Sequence, residues 1–346
     1  MYQPSNKRRL KFQIVSKSAL IRLTILCGIL LVLSIWGWFT MFAMPAQSYR
    51  GQFTTLNNEE IALQALLKQD IQKIASEIGA RNSGQYAKLN ATKAFLEEAF
   101  TKAGYQPKSI EYKIQGKPYY NLEVEKIGTD QPQEIVVVGG HYDTAFNSQG
   151  ANDNATGAAA TLELARIFAT KPTKRTIRFV EFTNEEPPYF WTKDMGSLVY
   201  AKQLHEQGEN IVAMLSLETM GYFSDIEKSQ KYPFPIGLLY PNQGNFIGFI
   251  GNIQSGDLVR KAIASFRNHA QFPSEGASLP DWIPGIGWSD HWSFWQQGYP
   301  AIMVTDTATY RYPHYHTEQD TFDKIDFGKL TRVVTGLAEV IADLAN

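Results

Sequence analysis

From Leu23 to Met44 the chain runs for 22 residues without a charged side chain (LTILCGILLVLSIWGWFTMFAM). As a helix at about 1.5 Å per residue it spans roughly 33 Å, enough to cross a hydrocarbon core of about 30 Å. The segment splits the chain into parts that face different surroundings. Ahead of it stand Lys7, Arg8, Arg9, Lys11, Lys17 and Arg22, with no acidic residue. Removing those six from the 33 basic residues leaves 27 against 34 acidic ones, so everything downstream carries a net −7. Basic flanks stay in the cytoplasm, which predicts an exported acidic part, periplasmic or extracellular. Trp36 and Trp38 fit the far interface. The rival is a cleaved signal peptide, whose apolar region runs about 7–15 residues; this run is longer, and Pro45 is awkward beside Phe42-Ala43-Met44. A basic head also suits nucleic acid, but next to such a run topology explains it better, so no nucleic-acid partner is expected. The expected organisation is a cytoplasmic tail at 1–22, a transmembrane anchor in contact with the lipid bilayer at 23–45, a polar tether at 46–56 and one domain at 57–346.

The only cysteine, Cys27, lies inside the span. The exported part is therefore thiol-free, which excludes cysteine catalysis and disulfides there. With 44% apolar and 19% charged residues, the composition is that of an ordinary globular protein. A helix is expected from Asn58, as cap, to Gly79, with Leu63, Leu67, Ile71, Ile74 and Ile78 on one face. A second runs from about Leu89 to Ala103 and stops at Gly104. Strand-like runs follow at 119–124, 134–138, 176–182, 211–217, 236–240 and 301–305, alternating with helices near 155–169, 196–205, 257–267 and 327–344. The runs VVV at 136–138 and AIMV at 301–304 do not alternate, as expected of strands buried on both faces. The pattern predicts a single α/β domain with a mostly parallel central sheet flanked by helices. Ligands in such sheets bind beyond the carboxyl ends of the strands.

The residues following those strands carry the chemistry. Gly139-Gly140-His141-Tyr142-Asp143-Thr144 follows one strand, Asn184-Glu185-Glu186 another and Glu218 a third; His314-Tyr315-His316 comes after the last, and Asn152-Asp153-Asn154 leads into a helix. Any one piece alone is commonly a solvated loop. Together, His141, Asp153, Glu186, Glu218 and His316 form a nitrogen and oxygen donor set suited to zinc or a similar divalent ion. Five donors are too many for one open catalytic site and fit two ions about 3.5–4 Å apart sharing a carboxylate. In the Glu185-Glu186 pair one carboxylate can bind metal while the other takes a proton from water. Asp143 is spaced to orient an imidazole.

The ordered motifs GGHYDT (139–144), GANDNATG (150–157), NEEPP (184–188), SLETMGY (216–222), SDHWSFW (289–295) and HYHTEQDT (314–321) resemble the co-catalytic dizinc aminopeptidases, typified by bacterial leucyl aminopeptidase, with glutaminyl cyclase and glutamate carboxypeptidase II as relatives. The resemblance covers nearly all of 57–346, including Ile78-Gly79-Ala80-Arg81-Asn82. It implies two zinc ions, with Asp153 bridging, His141 and Glu218 on one ion, and Glu186 and His316 on the other. It makes Glu185 the general base acting on water or hydroxide between the metals, and the substrates peptides with a free N-terminus. It also implies a cis Asp153-Asn154 bond. Many relatives carry Asp at the position of Glu218, and the segment at 187–195 is longer than in the simplest members, where it could shape the specificity pocket.

Asp290 and His291 lie in one of these motifs, with a supporting or proton-relay role weighed against a purely structural one. His205 and His269 read as surface residues, and His314 as a neighbour of the ligand. Gly248-X-X-Gly251 reads as loop. Phe190, Trp191, Tyr222 and Trp288 are candidates to line a substrate pocket, and Asn90-Ala91-Thr92 is a glycosylation triplet in a cell that glycosylates. Two alternatives remain: a single-zinc glutaminyl cyclase, and a binding protein on an inactive peptidase scaffold.

Overall fold

The computed structural model describes residues 16–346; Lys7, Arg8, Arg9 and Lys11 lie outside the described residues. The chain divides into two units, ending and beginning at Ala43 and Met44. Among its described residues the first holds a single helix, α1 (Lys17–Met41), of 25 residues, none of them buried. Ser16 caps it, its Oγ accepting from the Ala19 N–H at 3.2 Å. The hydroxyls of Thr24 and Thr40 donate back to the carbonyls of Leu20 and Trp36, which satisfies polar groups that a hydrocarbon environment would leave stranded. Among the described residues α1 is the one helix long and apolar enough to cross a membrane. It takes in Lys17 and Arg22, which the sequence reading assigned to the tail, and it ends before Pro45.

The second unit is built on eight strands: β1 (Lys108–Ile114), β2 (Lys117–Lys126), β3 (Gln131–His141), β4 (Arg175–Phe182), β5 (Asn210–Glu218), β6 (Ile247–Asn252), β7 (Ser274–Leu279) and β8 (Ala301–Thr305). They form one sheet in the order β1-β2-β4-β3-β5-β8-β6-β7. The centre, β4-β3-β5-β8, is parallel, as is the β6–β7 pair; β1 with β2, β2 with β4, and β6 with β8 are antiparallel. The sheet is therefore mixed, with its parallel part where the apolar runs lie. Val136, Val137 and Val138 of β3 and Ile302 and Val304 of β8 are fully buried.

The helices are α2 (Asn58–Ile71), α3 (Tyr86–Lys102), α4 (Thr156–Phe168), α5 (Gly196–Glu206), α6 (Gly256–His269), α7 (His291–Trp295) and α8 (Phe327–Ala345). Helix α4 packs on β3, β4 and β5, with α2, α3, α6 and α8 on its side, while α5 and α7 pack together against β2, β5 and β8. Gly157 permits the close approach of α4 to the sheet, because a Cβ there would run into the Leu217 carbonyl and the Asn154 side chain.

Several expectations are corrected. The cap of α2 is Asn57, which exchanges hydrogen bonds with Glu60 in a capping box; α2 continues as a wider π-helical turn, Gln72–Ile78, before Gly79. The run 236–240 is no strand: it holds a short 3₁₀ turn, Ile236–Leu238, with Leu238 and Leu239 exposed. The true strand is β6, which includes Gly248 and Gly251. Residues 46–56 are not a free tether either. Arg267 donates to the Pro45 and Ala46 carbonyls, and the Ser274 N–H donates to Ser48 Oγ at 2.9 Å. The Phe53 ring stacks on Phe272 at 5.7 Å and lies 5.1 Å from the Arg332 guanidinium.

Candidate metal centre

The parallel strands deliver the polar residues to one edge of the sheet. His141 is the last residue of β3 and Glu218 the last of β5. Glu185 and Glu186 follow β4, Asp153 sits in the turn Ala151–Ala155 ahead of α4, and His316 lies in the loop after β8. His141 Nε2 is 3.4 Å from Asp153 Oδ1, 3.2 Å from Glu218 Oε2 and 3.7 Å from Glu185 Oε2. His316 Nε2 is 3.1 Å from Asp153 Oδ2 and 3.2 Å from Glu186 Oε2. The two oxygens of Asp153 thus face different imidazoles, and two donor sets arise, His141–Asp153–Glu218 and Asp153–Glu186–His316. All five carboxyl and imidazole groups other than His316 are buried, and His316 is partly exposed.

The surrounding backbone is held by polar side chains. The Asp153-Asn154 bond is cis, in agreement with the resemblance. Asn154 Nδ2 donates to the Leu217 carbonyl at 2.8 Å, and its Oδ1 accepts from Gly157 and Thr219, joining the Asp153 turn to the end of β5. Asp143 lies 3.5 Å from His141 Nδ1, yet its hydrogen bonds come from the N–H groups of Glu185 and Glu186, at 3.1 Å each. Asn184, Thr219 and His316 all have positive φ, of 59°, 41° and 59°. Such left-handed conformations are costly away from glycine and gather at functional sites.

Of the other expected supporting residues, Asp290 is buried with neither carboxylate oxygen hydrogen-bonded. Burial raises its carboxyl to about 7, against the nearby imidazole of His141. His291 stands apart from the donor sets: its Nε2 is 2.7 Å from the Ile286 carbonyl, its ring packs edge-on against Trp295, and burial lowers it to about 4, so it is neutral. The Glu218 contact in this motif comes instead from Ser289, whose Oγ donates to Oε2 at 2.8 Å. His205 and His269 are exposed and His314 half-buried, none in a donor set.

Three further residues shape the site without having been assigned a role from sequence. Asp320 accepts from the N–H groups of Asn152 and Asp153 and from the Tyr312 hydroxyl. Arg81, fully buried, donates to the carbonyls of Tyr142, Gln149 and Gly150 and brings positive charge near Asp320, Asp143, Asp153 and Glu186. Tyr315 stacks on His316 with ring centroids 3.9 Å apart, and burial, with four nearby carboxylates, holds its hydroxyl protonated. Arg81 and Asp320 gave a faint signal because they act mainly on backbone groups distant in sequence, and Tyr315 because it acts through the ring of its neighbour His316.

The charge balance invites cations. Burial raises the carboxyls of Glu185, Glu186 and Glu218, with Glu186 at about 8. Although burial opposes it, the adjacent carboxylates of Asp153 and Glu186 lift His316 to about 10, and the facing carboxylates raise His141. Asp153, despite burial, is pulled below the usual carboxylate range by the two imidazoles. His141 Nδ1 and Nε2, His316 Nε2 and Glu186 Oε1 are buried without a hydrogen-bond partner. Unpaired buried donors are rare in native proteins, and imidazole nitrogens facing carboxylates at this spacing fit a divalent ion.

A half-open cavity lies beside Glu218 and Tyr315. Trp288 lines it, but Phe190, Trp191 and Tyr222 do not. No residue of 187–195 lines it; instead Trp191 Nε1 donates to the Gly287 carbonyl and its ring stacks on Trp292, bracing the neighbouring loop.

Comparison with known proteins agrees with this geometry. A sequence model of Peptidase family M28 matches residues 124–341. The Escherichia coli K12 protein YfbL is 34% identical over 284 residues, which cover 80% of this chain and 86% of that protein. Among solved structures, BSAP, a zinc aminopeptidase from Bacillus subtilis, superposes with a TM-score of 0.66 at 14% identity, covering 82% of this chain and 95% of its own. A glutaminyl cyclase from Fimbriiglobus ruber gives 0.59 at 21% identity, covering 87% and 99%. At such identities the two structures attest to a shared fold.

Proposed function

This chain belongs to peptidase family M28, and we propose that within that zinc-peptidase family it is a membrane-anchored aminopeptidase, releasing N-terminal residues from peptides that carry a free amine. The observation that carries this reading is the pair of donor sets meeting at Asp153. His141 and Glu218 would hold one zinc ion, Glu186 and His316 a second, with Asp153 shared between them. When bound, zinc supplies Lewis acidity toward a scissile carbonyl and acidifies an attacking water. Glu185, left over from both sets, accepts the proton of that water and returns it to the leaving amine, a role worth about 10²–10⁴-fold. Tyr315, protonated and facing the same carboxylates, is available to donate to the developing oxyanion. Asp143 and Asp320 fix the backbone beneath Glu185, Glu186 and Asp153, and Asp290 adds a buried carboxyl near His141.

The anchor would be residues 23–45, seated in the lipid bilayer with the N-terminus cytoplasmic and the catalytic domain periplasmic or extracellular. The length of α1 and the basic residues ahead of it support this orientation. Against a cyclase using a single zinc stands the retention of all five donors; against an inactive scaffold stands that set together with the free Glu185.

The test is hydrolysis by the zinc-loaded full chain in detergent of leucine amide, N-acetyl-leucine amide and a peptide with N-terminal Gln, with and without chelator. Chelator-sensitive release from the free-amine substrate alone is expected. Equal rates on the acetylated substrate would refute the aminopeptidase reading, and cyclisation of the Gln peptide without amide hydrolysis would replace it with the cyclase.

A further inference from the structure

The segment 232–240 is a loop closed at its base and apolar at its tip. At the base Tyr232 and Tyr240 stack with ring centroids 5.8 Å apart, and the Tyr232 hydroxyl donates to the Pro241 carbonyl at 2.6 Å. Together with Ile236 these rings line the cavity. Phe234 and Leu238 do not line it; they are 92% and 79% exposed, and Leu239 is half-exposed. Pro284 shares the cavity wall with the loop, and Trp282, two residues ahead of it, is 79% exposed. Single exposed apolar residues are ordinary on a protein surface, but a group of large ones on segments that share a wall calls for an occupant.

The edge strand β7 fixes where this tip lies. The Tyr240 hydroxyl donates to the Gly276 carbonyl of β7 at 2.7 Å. Met44 rests on the same residue: a Cβ at Gly276 would meet Met44 Cγ at 3.0 Å and Sδ at 3.1 Å. The chain after Met44 stays beside β7, with Arg267 donating to the carbonyls of Pro45, Ala46 and Ser274, and the Ser274 N–H donating to Ser48 Oγ. Met44 and Pro45 close the proposed membrane span at 23–45. The chain therefore enters the domain at the strand that also holds the base of the loop. Leu238 is two residues from Tyr240, at most about 7 Å of backbone, so a bilayer at the end of the span lies within reach of the tip.

The charge around the tip suits lipid. From Lys228 to Gly256 there is no acidic residue, and this stretch carries +2 where everything after residue 22 carries −7. Both of its lysines, Lys228 and Lys231, are exposed on the approach to the loop. Apolar side chains for the acyl region, Tyr and Trp for its boundary and Lys for anionic headgroups make up the grading of an interfacial segment.

We propose that the loop 232–240, with Trp282, is a second membrane contact, its apolar tip dipping into a bilayer that carries anionic headgroups. The domain then lies against the lipid surface instead of hanging free on the span, and one wall of its cavity is the lipid-bound loop. The inference rests on the anchor reading given above.

The test uses the full chain in vesicles of equal parts phosphatidylcholine and phosphatidylglycerol, with or without a lipid bearing a nitroxide on its acyl chain. Because Cys27 is the only cysteine, a fluorescent label goes to one position at a time: Cys27 itself, or a Cys27→Ser background carrying Leu238→Cys or Lys113→Cys. Lys113 is exposed on β1, at the opposite edge of the sheet from β7. The nitroxide is expected to quench the label at position 238 about twofold or more, as for a segment seated about 5–10 Å into the acyl boundary, and to leave the label at position 113 unchanged. Quenching at 238 should weaken in vesicles of phosphatidylcholine alone; equal quenching in both lipids would overturn the part given to anionic headgroups. No more quenching at 238 than at 113 overturns the proposal, as does a label at 238 shielded only when the protein is crowded in the vesicle, the sign of a second copy. A label on Cys27 that escapes quenching would instead overturn the anchor reading on which the inference rests.

Discussion

The N–H of Glu185 donates to Asp143 Oδ1 at 3.1 Å, and the next N–H, that of Glu186, to Oδ2 at the same distance. One buried carboxylate thereby fixes two consecutive peptide groups just after the left-handed Asn184, and with them the directions in which the proposed base and a proposed ligand leave the strand. Asp143→Ala is expected to keep the fold and lose about 10–100-fold in kcat/KM or zinc affinity, the usual cost of removing a group that orients ligands. Wild-type kinetics and zinc affinity in that variant would show that the dyad is oriented by other means.

The legibility of this fold from sequence varied with the physics of each element. β3 and β8 could be read because strands buried on both faces demand unbroken apolar runs. β6 (IGFIGN) and β7 (SEGASL) escaped because glycine and serine blur the apolar signal. The apolar run 236–240 misled for the converse reason: Leu238 and Leu239 are exposed on a turn over the cavity. At the site, the donor residues stood out because they follow strands in a recognisable order. Asp320, Arg81 and Ser289 did not, since the hydrogen bonds that tie them to the site, to Asn152, Tyr142 and Glu218, reach residues between 61 and 168 positions away.

The docking of residues 44–54 against the domain sets where a soluble form can begin. Phe53 combines an aromatic pair, worth about 0.5–1.5 kcal/mol, with a cation–π contact worth about 0.5–1 kcal/mol. A form starting at Met44 should therefore unfold several degrees above one starting at Asn57, with Phe53→Ala in between. Equal melting temperatures would return this segment to the status of a passive tether.

Stability without zinc should fall as pH rises. Burial foremost keeps the folded Glu186 at about 8, and His316, despite burial, is lifted to about 10 by Asp153 and Glu186. Both exceed unfolded values of about 4.3 and 6.5. Their stabilisation is thus complete below the unfolded values and lost as pH rises through the folded ones. Asp153, lowered instead, changes only below about pH 4 and has no effect in this window. The Tm of chelator-treated protein should decline between pH 5 and 9, and the rise in Tm on adding zinc should grow over the same range. A zinc effect independent of pH would argue that these groups do not exchange protons for metal.

Tyr315 keeps its proton among four carboxylates and so remains a donor at working pH. Tyr315→Phe should lower kcat by about 10²-fold, toward the lower end of the range for loss of one oxyanion donor, with KM little changed. A change confined to KM would make the hydroxyl a substrate-binding group only.

The most direct test of the whole account is the zinc content of the wild type and of Glu185→Gln, measured beside turnover on leucine amide. Two ions per chain are expected in both proteins, with turnover about 10²–10⁴-fold lower in the variant. A wild type holding one ion or fewer, or a variant that turns over at the wild-type rate, would contradict it.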